Sequence, residues 1–180
     1  MTLPPAGPVV AVFRTVLDGQ RVAGTDEVSD LLVALQRTNV EQWEHEDVTR
    51  DPTAGDADVA AAKRAIDRLN GNRHALVEAI DARLAAAVDQ DVTAPPATES
   101  PAMVFDRLSV LTIRIHYTAR AAGDGHDEYT ARLAVLEQQL ALLERAADAL
   151  FDDVRTGRRR FVPYQGLKLY GSAAEAPPPA

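Results

Sequence analysis

Four carboxylates fall in two stretches of helical spacing: Glu46 and Asp47 in one, Glu78 and Asp81 in the next. Oxygen ligands of this kind suit a hard divalent cation, Mg2+ or Mn2+, which would bridge to phosphate, and Glu46, Glu78 and Asp81 are the candidates for acid or base. Cationic and amide side chains surround them. Arg50, Lys63 and Arg73 would neutralise an anionic ligand and Asn39 and Asn70 would orient it, with Asp67 in the same polar run and Trp43 free to stack on a sugar ring or base. The competing reading is architectural and weighs more heavily for the carboxylates: they pair with Arg50, Lys63 and Arg73 between helices, and Trp43 fills core. Under the metal reading at least three carboxylates should converge. Under the architectural one each should face a cation.

The spacing Glu78-x-x-Asp81 looks like one of the two acidic motifs of the all-helical nucleoside triphosphate pyrophosphatases. Glu41 and Glu44 have the spacing of the other, but the helical period turns them away from the stripe of Asn39, Gln42 and Glu46. His74 and Glu78 are four apart and meet on one helix face, so they could be a metal pair or a general base held by a carboxylate; a solvated helix surface is the favoured reading. His116 beside Ser109 and Thr112 reads as a half-buried, hydrogen-bonded histidine. With no cysteine, no G-x-S-x-G, no phosphate-binding glycine loop and no Glu-x-x-His, thiol, serine-hydrolase, nucleotide-loop and paired di-iron chemistry are excluded.

Helices must position these residues. Pro8 is expected to open a short helix burying Val9, Phe13, Val16 and Leu17, with residues 1–8 disordered and Gly19 and Gly24 ending it. Thr25 or Asp26 caps a long helix that Pro52 forbids from continuing. Its apolar stripe of Val28, Leu31, Leu32 and Leu35 turns polar at Asn39, on the inward side. Asp56 or Asp58 caps the next helix, whose stripe of Ile66, Leu69, Leu76, Val77, Ile80 and Leu84 includes the position of Arg73, so this cation is expected inside, against a carboxylate from another segment. Residues 89–100 form a loop, and Ser100-Pro101 is a restart signal for a helix packing through Val104, Leu108, Leu111 and Ile115. The last helix carries Leu133, Leu136, Leu140, Leu143, Ala147, Leu150 and Val154, a seam for bundle packing or, alternatively, a homodimer contact. Gly157 ends it, and the basic stretch from Arg158 to Lys168 could close over the bundle.

These elements fit an all-α bundle of about four long helices plus a short one: a single domain over 9–170 and an Ala/Pro tail over 171–180, expected to be disordered. The net charge of -8 opposes attraction to nucleic acid or anionic lipid. No stretch approaches the roughly 18 apolar residues of a membrane span, and the N-terminal residues lack the basic run of a secretory leader, so a cytoplasmic protein is expected.

Four blocks in order give the chain a family likeness: Thr38–Arg50, Lys63–Asp81, Thr98–Leu111 and Gly157–Tyr170. It resembles the bacterial family of domain of unknown function 4254. By position, Trp43, Glu46, Asp47 and Arg50 match that family's W-x-x-E-D-x-x-R element; Lys63, Asp67, Asn70, Arg73, Glu78 and Asp81 match its second block. Glu99, Ser100, Asp106 and Arg107 fall on its third, and Tyr164, Lys168 and Tyr170 on its last. Gly71, and Gly171 and Ser172 after the final tyrosine, depart from the pattern. The resemblance implies an all-helical protein, often encoded beside glycosyltransferase or cell-surface polysaccharide genes, and no defined reaction. The leading expectation is a small-molecule binding protein or enzyme acting on an anionic sugar- or nucleotide-linked metabolite in glycan or secondary-metabolite biosynthesis. A metal-dependent nucleotide pyrophosphatase-like hydrolase and a non-catalytic accessory partner of a glycosyltransferase are the alternatives. An enclosed pocket would favour the first, a filled ionic core the accessory role.

Overall fold

The computed structural model describes residues 3–123 and 127–166, so the expectations for Lys168, Tyr170 and the tail lie outside the described residues. Five helices follow in order: α1 (Ala6–Leu17), α2 (Glu27–Arg50), α3 (Asp56–Ala87), α4 (Pro101–Gly123) and α5 (Asp127–Arg155). The fold is all-α. α2 and α3 form one long hairpin and α4 and α5 another; α4 is the shared element, touching each of the other four helices. α5 packs on α4 and α1 but not on α2 or α3. One side of α4 is therefore flanked by the two hairpins without being closed by them.

Local chemistry explains the boundaries. The Asp26 side chain accepts from the Ser29 N–H at 2.9 Å, satisfying one of the free donors that every helix start exposes. Ser100 does the same for the Met103 N–H at 3.3 Å, and Pro101 takes the first helical position. Gly157 ends α5 and Gly19 follows α1, both at φ 73, a conformation that costs glycine nothing.

Two boundaries differ from the sequence expectation. α3 is capped by Gly55 without a side-chain bond, and Asp56 and Asp58 instead occupy its first turn, where carboxylates complement the helix dipole. α1 begins at Ala6, before Pro8. Leu3 and Ala6 are buried and the Ala6 N–H donates to Asp148 Oδ1 at 2.8 Å, so residues 3–8 are anchored by α5 rather than disordered.

The main core joins Phe13 of α1, Leu35 of α2, Ile80 and Leu84 of α3, Phe105 and Leu108 of α4 and Phe151 and Val154 of α5. Phe105 and Phe151 meet at 5.2 Å between ring centroids, and Phe151 lies beside the expected leucine seam rather than on it. Within that seam Leu136, Leu140, Ala147 and Val154 are buried, and Leu133, Leu143 and Leu150 pack partly buried against the core.

After α5 the chain turns back as a strap. Ala97 N–H donates to Arg160 O at 2.7 Å and Arg160 N–H to Pro95 O at 3.1 Å, fixing the strap to the α3–α4 loop. Phe161 is buried, its N–H donating to Gln90 Oε1 at 2.7 Å. Asp81, wholly buried on α3, completes the attachment: Oδ1 accepts from Ala102 N–H at 2.9 Å and Oδ2 from Tyr164 N–H at 2.8 Å. One carboxylate thus ties the start of α4 and the strap to α3.

Burial raises the Asp81 pKa above the ordinary aspartate value of 3.8, against the opposing hydrogen bonds from Ser100, Tyr164 and Ala102. The folded state therefore binds its proton at higher pH than the unfolded chain. The contribution of this group to stability grows as pH falls through the raised pKa and is absent above it. Asp81→Asn keeps one acceptor and turns an N–H donor on the other backbone N–H, so urea unfolding at neutral pH should show a loss of about 1–3 kcal/mol. That gap from the parent should widen in mild acid, because only the parent gains from protonation.

Candidate functional site

Asn39, Arg73 and Asp106 bring α2, α3 and α4 together. Asp106 receives the Arg73 guanidinium through two hydrogen bonds, Nε to Oδ1 at 2.8 Å and Nη2 to Oδ2, and the Asn39 amide donates to Oδ1 at 3.0 Å. Asn39 also donates to Ser109 Oγ at 2.8 Å. The Arg73 side chain is 29% exposed and that of Asp106 13%, as the expectation of an inward cation facing a carboxylate from another segment requires. The hydrogen bonds to Asp106 raise the Arg73 pKa further, with burial opposing and Glu46 adding a smaller favourable field. Deeper along the α2–α4 contact, Gln36 donates to Thr112 Oγ1 at 3.5 Å, and Thr112 donates to Ser109 O at 2.7 Å. The polar interior is largely filled by its own partners, leaving the buried Gln36 Oε1 and Gln42 Oε1 without a hydrogen bond among the described residues.

The expected carboxylate cluster does not form. Glu46 is held on α2 by Gln42 Nε2 at 3.3 Å and Arg50 Nη2 at 2.8 Å, Asp47 and Glu78 are exposed, and Asp81 faces the backbone donors of α4 and the strap. Among the described residues no three His, Asp or Glu side chains converge as metal ligands. Glu78 and Asp81 fail to cooperate because the edge of the buried α3 face falls between them. The residues do not fit Mg2+ or Mn2+, nor do Glu46, Glu78 and Asp81 share one catalytic cavity. Lys63, Asp67 and Arg50 are exposed and Asn70 half-buried, so of the expected ligand-binding set only Asn39 and Arg73 join the α2–α3–α4 network.

His74 is covered rather than solvated. Tyr164 of the strap stacks on it, ring planes 12° apart, with Tyr164 Oη 2.6 Å from His74 Nδ1. A Cβ at Gly166 would lie 3.4 Å from His74 Cβ, an ordinary van der Waals contact, so the strap runs close over α3 without requiring a glycine there. Trp43 stacks on Tyr117 of α4, centroids 5.6 Å apart. His116 is half-buried with its ring edge-on to Tyr117. In the strap's basic run, Arg158 pairs with Asp152 and Asp153 at 2.7 and 2.8 Å.

Outside the filled interior, open clefts follow the flanked side of α4. One, of about 640 Å³, lies between α3, α4 and α5 and is lined by Arg73, Arg107 and Arg114 over Leu111, Leu142 and Leu143. Among the described residues no carboxylate lines it. A second, of about 610 Å³, shares Arg107 and Leu143 and runs on to Glu99 and Arg159. Arg107 pairs with Glu99 at 2.6 Å, whereas exposed Arg114 has no carboxylate within 4.0 Å among the described residues. Sequence reading missed this stripe because each arginine alone resembles a solvated surface charge. The signal was Arg107 and Arg114 standing two turns apart on one α4 face.

If the Arg73–Asp106 pair is architectural, Arg73→Leu leaves Asp106 half-partnered and should cost roughly 1–3 kcal/mol, less than the 3–5 kcal/mol of a fully buried pair because Arg73 is partly solvated. Arg73→Leu with Asp106→Leu should recover most of that loss. Urea unfolding of the two variants checks it, and a double variant weaker than the single would refute the architectural role.

No curated protein and no solved structure matches the chain. The family described as "Protein of unknown function (DUF4254)" matches residues 29–162, from the start of α2 into the strap, and the chain belongs to that family.

Proposed function

We propose that this protein binds an anionic small molecule in the cleft along α4, with Arg114 and Arg107 as the principal contacts. The observation carrying the proposal is a stretch lined by Arg73, Arg107 and Arg114 without a carboxylate among the described residues, in a chain of net charge -8. Asp106 answers Arg73 and Glu99 answers Arg107, so the net positive field in the cleft comes from Arg114, set against the charge of the whole molecule, and it raises the local concentration of anions there. Arginine forks match phosphate and carboxylate oxygens, and the leucine floor would lower the dielectric around them. The sugar- or nucleotide-linked class and the setting in glycan or secondary-metabolite biosynthesis come from the family resemblance. A cytoplasmic setting is part of the proposal and rests on the sequence reading; no helix among the described residues is long and apolar enough to cross a membrane.

A second reading has its own support. The filled network of Asn39, Arg73, Asp106 and Ser109 sets helix register, and Leu142 and Val135 are each 53% exposed on α5. That is the arrangement expected of an accessory protein that meets a glycosyltransferase, or a second copy, through its outer surface. The separated carboxylates give the pyrophosphatase-like alternative no comparable support.

Nucleotide sugars, nucleoside triphosphates and inorganic pyrophosphate should raise the melting temperature, since a ligand present at 100 times its Kd adds about 2.7 kcal/mol. Arg114→Ala should abolish that response and leave unliganded stability within about 0.5 kcal/mol. Affinity measured by calorimetry should fall steadily with added salt. Silence from every anion in the parent protein would leave the accessory reading.

A further inference from the structure

Arg114 borders two clefts. Beyond it, toward the C-terminal end of α4, lies a cleft of about 380 Å³ lined by Trp43 and Asp47 of α2, Tyr117 of α4 and Tyr129 and Arg132 of α5. It gathers the only tryptophan and two of the four tyrosines of a chain that is 5% aromatic. On the α2–α4 wall Trp43 and Tyr117 are parallel within 5°, and His116, edge-on at 5.4 Å, backs the Tyr117 ring. On the α5 wall the Arg132 guanidinium sits 5.2 Å from the Tyr129 ring centroid. Trp43 and Tyr117 engage one face of each other and Arg132 covers one face of Tyr129, so a ligand ring would stack on the outer face of the Trp43–Tyr117 pair where it lines the cleft.

The spacing along α4 limits what such a ring can be attached to. Arg114 and Tyr117 are three residues apart, neighbours on one helix face and about 4.5 Å apart along the axis. A group held by Arg114 is then within one helical turn of the stacked rings. We propose that this cleft is a ring-binding subsite, and that the ligand carries a phosphate on Arg114 joined directly to a flat-faced ring on Trp43 and Tyr117. A nucleoside monophosphate and a sugar 1-phosphate share that chemistry. Asp47, exposed at the rim and only loosely paired to Arg50 at 3.9 Å, is the acceptor for a ring hydroxyl or amine. The inference rests on the anion-binding reading for its phosphate, but the aromatic walls stand without it.

Because Trp43 is the only tryptophan, intrinsic fluorescence reports this cleft directly. The full chain is titrated with AMP, UMP, glucose 1-phosphate, the uncharged adenosine, uridine and glucose, and inorganic phosphate, with calorimetry in parallel. At least one ring phosphate should change Trp43 emission and bind about tenfold or more tighter than inorganic phosphate, and Tyr117→Leu should remove that advantage while phosphate still binds. A response to the nucleotides identifies a base, and a response to glucose 1-phosphate a sugar. If inorganic phosphate binds but no ring phosphate binds tighter or shifts Trp43, the subsite is overturned and the anion site stands. If no phosphate binds while an uncharged ring still shifts Trp43, the subsite stands and the anion reading falls. Silence from every probe overturns both.

Discussion

Asp106 is a carboxylate placed where α2, α3 and α4 meet, and a charge in that position is tolerable only because two neighbours answer it. Arg73 supplies the counter-charge from α3 and Asn39 an amide from α2. Leaving Arg73 out strands a largely buried acceptor, a penalty of roughly 1–3 kcal/mol against a net stability of about 5–15 kcal/mol. Apolar packing would allow α3 to slide or rotate by a fraction of a turn against α4. A guanidinium fork on a carboxylate does not, because both of its hydrogen bonds must be made at once. The register of the α2–α3 hairpin on α4 follows from that contact, and so do the positions of Arg107, Arg114 and Tyr117 along the flanked side.

The same constraint separates interior from surface chemistry. Once Arg73 and Asn39 are committed to Asp106, Asn39 also to Ser109, and Thr112 to the Ser109 carbonyl, the interior offers no vacant donor set for a ligand. Recognition moves to the side of α4 that α3 and α5 flank without closing. There Arg114 is exposed beside Leu111, Leu142 and Leu143, a placement suited to meeting an anion without first breaking an internal pair. Arg107, by contrast, would share its charge with Glu99.

Asp81 and the strap make a second constraint, independent of the first. The strap has no regular secondary structure and satisfies its backbone groups by borrowing acceptors: Asp81, Gln90 and Pro95 O each take one of its N–H groups. Tyr164 then covers His74. The attachment joins two blocks of the family likeness that are far apart in the chain: Asp81 and His74 of the second meet Tyr164 of the last.

The sequence by itself determined the all-α class, the cap at Ser100 and a cap at Thr25 or Asp26, the seam of α5 and the inward placement of Arg73, because helical period and cap chemistry are local. Its partner was not legible. A helical period fixes where a side chain points about its own axis and says nothing of which helix stands opposite, so Asp106 could be assigned to Arg73 only once α3 and α4 were packed. The same limit misled the reading of Glu78 and Asp81. Three residues apart, they differ by about 60° around α3, and the edge of the buried face falls between them, sending one to solvent and the other to the strap. His74 and Tyr164 lie 90 residues apart, and their contact depends on where the strap returns. Local rules wrote the helices and their polar faces; tertiary packing alone decided which polar groups met one another and which were left facing an open cleft.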